Sequence, residues 1–108
     1  MAADIEAVKN ILRQYIRDVA ETIPIDKVYL YGSYAKGTQQ DDSDVDICFF
    51  SESFSARRTL DVLTELFMLK IKYDKYLLIE PNAFPTSEIY NDNPFVKEIL
   101  RYGQEIAV

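Results

Sequence analysis

The chain has no histidine and a single cysteine, Cys48, among its 108 residues. The first absence excludes His-based general catalysis and His-ligated metal sites. The second excludes an internal disulfide, and Cys48 lies in an apolar run that marks it as a small buried hydrophobe. Basic residues are scarce: 12 Lys and Arg against 18 Asp and Glu leave a net charge of −6. Affinity for duplex nucleic acid rests on clustered Lys and Arg, so duplex binding is not expected. No leader-like segment opens the chain and no apolar run is long enough to cross a bilayer, so a soluble cytoplasmic protein without membrane contact is expected. No repeat or linker divides the sequence, which fits one domain over residues 1–108 with a modest core.

What is there gathers around residues 31–50. The apolar run Val28, Tyr29, Leu30, Tyr31 stops at Gly32-Ser33, and a second apolar run is entered through Asp44 and Asp46. Strand residues i and i+2 share a face, so Asp44 and Asp46 stand side by side, roughly 6.5 Å apart along the backbone. Val45, Ile47 and Phe49 take the opposite, core-facing side. Two anions this close raise each other's pKa unless a cation lies between them. Oxygen-only ligands without a His or thiolate partner suit Mg2+ or Mn2+ better than zinc. Gly32 at a strand end permits close approach of the backbone to a ligand. A helix opening there offers N–H groups and a positive dipole end to a phosphate, and the Ser33 hydroxyl adds one more donor. Carboxylates beside a phosphate cradle describe phosphoryl or nucleotidyl transfer.

Gly32, Ser33, ten intervening residues and then Asp44-Val45-Asp46 resemble the GS-x10-DxD signature of the polymerase-β-type nucleotidyltransferases. The short chain resembles their smallest branch, the minimal nucleotidyltransferases. The resemblance implies an α+β fold: a small mixed or antiparallel sheet of three to four strands with helices packed on one face. It implies a nucleoside triphosphate substrate, most plausibly ATP, and two divalent ions, Mg2+ or Mn2+, one held by Asp44 and Asp46 and a second by those two with a third acid on a neighbouring strand. Lys36, where the family usually carries arginine, is a candidate for the triphosphate beside Gly32 and Ser33. A further implication is a small helical HEPN-type toxin as partner, adenylylated on a tyrosine. A homo-oligomer is the other source of an acceptor pocket. The alternatives left open are a nucleotide-binding antitoxin without turnover and a transferase for an aminoglycoside-like acceptor.

The remaining elements follow from periodicity. Residues 4–22 carry Ile5, Val8, Leu12, Tyr15, Ile16 and Val19 at helical spacing, ended by Pro24. Residues 34–37 form a short turn stopped by Gly37, and 38–43 a polar loop. The strands before and after it are expected antiparallel. The second long helix spans 56–72, with a core stripe of Leu60, Leu63, Phe67 and Ile71 widened by Val62 and Leu66. A third strand over 76–80, closed by Pro81, is expected antiparallel to the Asp44 strand, with Glu80 facing Asp46, Leu78 facing Cys48 and Tyr76 facing Phe50. Glu80 is thereby the candidate third acid, with Asp74 as the alternative. Residues 82–93 read as an irregular loop. Asn93 caps a last helix with Pro94 at its first position, Gly103 ends it, and residues 105–108 suit a final short strand. Tyr31 and Tyr34 are candidates for stacking on a base.

Overall fold

The computed structural model describes residues 5–37 and 44–108. The helix start at Asp4, the polar loop at 38–43 and the Tyr34 side chain lie outside what is described. The order is α1 (Ile5–Thr22), β1 (Lys27–Tyr31), α2 (Ser33–Lys36), β2 (Val45–Phe50), α3 (Thr59–Lys70), β3 (Ile79–Phe84), α4 (Pro94–Tyr102) and β4 (Gln104–Ile106). Short 3-10 turns at Glu52–Ala56, Ile71–Tyr73 and Thr86–Ile89 complete the connections. The four strands form one mixed sheet in the order β3-β2-β1-β4, an α+β arrangement as expected.

β1 runs antiparallel to β2, with Tyr31 opposite Asp46, so the first strand ends where the second begins. The third strand departs from expectation. It spans Ile79–Phe84 and runs parallel to β2, pairing Val45 with Ile79, Asp46 with Glu80 and Phe50 with Phe84. Glu80 faces Asp46 as anticipated, but Cys48 faces Asn82, and Tyr76 and Leu78 lie outside the strand with their side chains exposed. α3 is the crossover that a parallel pair requires. Pro81 does not close the strand. Val45 N–H donates to Leu78 O and Ser51 N–H to Phe84 O, so the even-numbered residues of β3 face β2. The Pro81 nitrogen therefore points off the sheet edge, the one place in a sheet that tolerates it.

The helices do not share one face. α1 buries Val8, Leu12, Tyr15, Ile16 and Val19 against Val28, Leu30, Val45, Ile47 and Phe49, joined by Val62 and Leu66 of α3. The Tyr15 hydroxyl, buried at this seam, donates to Leu66 O at 2.8 Å. α4 packs Val96 and Ile99 on the opposite face, over Cys48 and Phe50 with Tyr29, Tyr31 and Phe84 beside them. The face of α3 also differs: Val62 and Leu66 are buried, while Leu60, Phe67 and Ile71 are exposed. α3 is apolar on nearly every side, so periodicity alone cannot choose its buried face.

The caps follow the sequence. The Asn93 side chain accepts from Phe95 N–H and Val96 N–H ahead of Pro94, and Gly37 closes α2 in the left-handed region at φ 75°. Gly103 closes α4 for a different reason, because its backbone is extended. A Cβ there would lie 2.5 Å from Ile99 O and 3.0 Å from Leu30 O, so glycine is what lets α4 turn directly into β4.

Candidate active site

The site forms where β1 ends and β2 and β3 begin. Gly32 has φ 74° and ψ −151°, a backbone region essentially restricted to glycine. This conformation turns the chain from β1 into α2 and brings the Gly32 Cα against the Asp46 side chain. A Cβ on Gly32 would sit 2.2 Å from Asp46 Oδ2 and 3.1 Å from Cγ. The glycine and the second aspartate of the motif are thus one packed unit. α2 is a single turn of four residues, with Lys36 N–H donating to Gly32 O at 3.1 Å. One turn carries little macrodipole, so any phosphate cradle here relies on local N–H groups and the absence of a side chain at Gly32.

Asp46 is half-buried on the α4 face of the sheet, with Glu80 beside it in register and Asp44 two residues before it. Its carboxyl is held above the usual carboxylate range, first by burial, then by the negative charges of Glu80 and Asp44. All three influences act in the same direction. Tyr31 completes the group: burial pushes its hydroxyl up to about 12, opposed by a hydrogen bond with the Asn82 side chain and reinforced by Asp46, Cys48 and Glu80. Three mutually repelling carboxylates with oxygen-only donors fit a hard divalent cation in kind. Among the described residues, no three acidic or thiol groups already stand close enough to close around one ion. Asp44 and Glu80 are exposed, so their side chains would complete such a site by rotating toward Asp46.

A cavity of about 210 Å³ adjoins Gly32 on the same face, between the end of β1, α2 and α4. Tyr31 and Gly32 form its inner wall, and Phe95, Glu98 and Tyr102 face it from α4. The Tyr31 and Phe95 rings meet edge to face with centroids 5.8 Å apart. Lys36 Nζ lies 5.4 Å from the Tyr102 ring centroid.

The family model for the nucleotidyltransferase domain matches residues 12–106. The chain belongs to this nucleotidyltransferase family. Two proteins of Methanocaldococcus jannaschii, each named "putative protein adenylyltransferase", are similar to it. One is 26% identical over 90% of this chain and 96% of its own length. The other is 30% identical over 86% of this chain and 87% of its own length. The fold resembles a crystal structure titled as a "putative nucleotidyltransferase" from Sulfolobus solfataricus, with TM-score 0.66 and 20% identity, covering 78% of this chain and 72% of that one.

In this nucleotidyltransferase the structure brings Gly32, Ser33, Asp44, Asp46 and Glu80 to one end of the sheet. Lys36 lies one turn away at the mouth of the cavity. Asp74 is elsewhere, paired with Lys70 at 2.9 Å. Sequence reasoning missed the contribution of α4. Its signal was present: Phe95, Glu98 and Tyr102 fall at i, i+3 and i+7, one stripe of the helix beside the Val96 and Ile99 core stripe. Among the described residues, no helix is long and apolar enough to cross a membrane.

Proposed function

We propose that the protein is a Mg2+-dependent (or Mn2+-dependent) adenylyltransferase that moves AMP from ATP to a hydroxyl acceptor with release of pyrophosphate. The resemblance to the minimal nucleotidyltransferases points to a tyrosine of a helical HEPN-type partner as the acceptor. The observation that carries the reading is the contact between Gly32 and Asp46, with Glu80 in register beside them. The backbone turn that would receive a phosphate is thereby placed directly against the carboxylates at the strand ends. The names of the Methanocaldococcus relatives support a protein acceptor.

Asp44, Asp46 and Glu80 would hold the divalent cation, which when bound supplies charge neutralisation for the triphosphate and acidifies the acceptor hydroxyl. The chain's own contributions are positional. Gly32 and Ser33 receive the phosphates at the end of β1, and Lys36 adds a point charge to the triphosphate. A bond forms from the acceptor oxygen to the α-phosphorus, and the bond from that phosphorus to the bridging oxygen of pyrophosphate breaks. The acceptor's proton would pass to Glu80 or to solvent, since no histidine exists to take it.

The test is incubation with α-labelled ATP, magnesium and candidate acceptors, including whatever protein co-purifies with this one. Wild type should label the acceptor and Asp46→Asn should not. Equal labelling by both discards the reading. The exposed, unconverged positions of Asp44 and Glu80 favour a second reading, a nucleotide-binding antitoxin without turnover. Magnesium-dependent ATP binding with no pyrophosphate release over hours would select it.

A further inference from the structure

We infer that the cavity between Gly32 and α4 is the nucleobase pocket, that Tyr102 stacks on the base, and that Glu98 recognises an exocyclic amino group. The inference rests on the reading of Gly32-Ser33 as the triphosphate seat. Three observations carry it.

The first is continuity. Gly32 belongs both to the Asp46 contact and to the cavity wall, so a nucleotide with its phosphates at Gly32 has this cavity beside it. The second is size. At about 210 Å³ the cavity falls below the range of about 300–1,000 Å³ usual for whole drug-sized ligands, and it suits one planar ring system. The third is the lining. Phe95 and Tyr102 keep 42% and 50% of their surface exposed on a helix whose neighbours Val96 and Ile99 are fully packed. The Tyr102 ring is approached by the long, exposed Lys36 and Arg101 side chains, at 5.4 and 5.3 Å from its centroid, which a base would displace on stacking, the sequence-tolerant part of base recognition.

Glu98 adds selectivity. An ionised carboxylate only accepts hydrogen bonds, so it favours a base edge bearing an amino group, such as that of adenine. Lys36 Nζ lies over the Tyr102 ring, so a base stacking there would release it from α4 toward the phosphates at α2.

The probes are non-hydrolysable α,β-methylene ATP, the matching analogue of purine riboside triphosphate, which lacks only the amino group, and inorganic triphosphate. Each is titrated calorimetrically with magnesium present. The ATP analogue should bind about tenfold or more tighter than triphosphate. Tyr102→Ala should remove most of that advantage while leaving triphosphate affinity within about twofold. Wild type should prefer the amino-bearing analogue by about tenfold, and Glu98→Ala, which leaves no acceptor, should reduce that preference toward unity. Both side chains are exposed, so neither change threatens the fold. If the ATP analogue binds no tighter than triphosphate, or is indifferent to Tyr102→Ala, the base pocket is overturned while the triphosphate seat stands. Failure of wild type to bind any of the three overturns the triphosphate seat and the inference with it.

Discussion

Gly32→Ala tests the contact on which the site is built, and its cost can be worked from two parts. Alanine at φ 74°, ψ −151° would occupy a backbone region that costs on the order of 1–3 kcal/mol. Its Cβ would also lie 2.2 Å from Asp46 Oδ2, forcing the carboxylate out of its rotamer for roughly a further 1 kcal/mol. The sum, about 2–4 kcal/mol, is a large share of the roughly 5–15 kcal/mol that stabilises a domain. The two parts separate in a double-mutant cycle. In an Asp46→Ala background the Oδ2 and Cγ contacts are gone and only the Cβ contact at 3.3 Å remains. There Gly32→Ala should cost the backbone strain alone, leaving a coupling energy of about 1 kcal/mol. Urea unfolding of the four proteins at pH 7 in EDTA reads this without any ligand. Additivity within about 0.5 kcal/mol would show that the carboxylate does not rest against Gly32 and would refute the packed unit.

Asp46→Asn, which should abolish transfer, should raise stability at neutral pH in EDTA. The Asp46 carboxyl is raised in the folded state, so the folded protein holds its proton more tightly, and stability falls as pH rises from the unfolded value through the folded one. The gain from Asn should therefore shrink as pH falls below the ordinary carboxylate range, measured as the difference in Tm across pH. Mg2+ should raise the Tm of wild type and leave that of Asp46→Asn unchanged, read by thermal scans with and without the ion. Tyr15→Phe should cost about 1 kcal/mol in urea unfolding, because it removes a buried hydrogen bond to Leu66 O between α1 and α3. Met68→Lys, at a position 66% exposed, should change stability by less than about 0.5 kcal/mol; a larger loss in urea unfolding would mean that this face of α3 is covered.

The parts of the fold written in local rules were legible. The Gly32-Ser33 stop, the antiparallel return into Asp44-Val45-Asp46, the Asn93-Pro94 cap and the Gly37 terminator each depend on a few neighbouring residues. What failed depended on tertiary context. Pro81 reads as a strand end because proline cannot donate, yet at the sheet edge its nitrogen points away from β2 and the strand continues to Phe84. Antiparallel pairing matched Leu78 with Cys48 and Tyr76 with Phe50, a good apolar fit that competes with topology. A long α-helical connection between β2 and β3 favours the parallel crossover, and that constraint prevails. The buried face of α3, on Val62 and Leu66, was hidden for another reason: apolar residues surround the helix, and only its packing on α1 and the sheet selects a side.

The pairing of Asp46 with Glu80 survived the reversal of β3 because either direction can set one residue of each strand opposite the other. The energetics at that pairing argue for a ligand independently of the motif. A core-facing leucine or asparagine at position 46 would satisfy the sheet as well, and without the repulsion from Glu80 and Asp44 that raises the Asp46 carboxyl. The fold gains nothing from three acids at the same strand ends, and it further requires a glycine at position 32 to make room for one of them. Retaining charges that disfavour the folded chain by itself is the mark of a site whose stability is completed by what it binds. On the proposed reading, a divalent cation held by Asp44, Asp46 and Glu80 would supply the positive charge that this end of the sheet lacks.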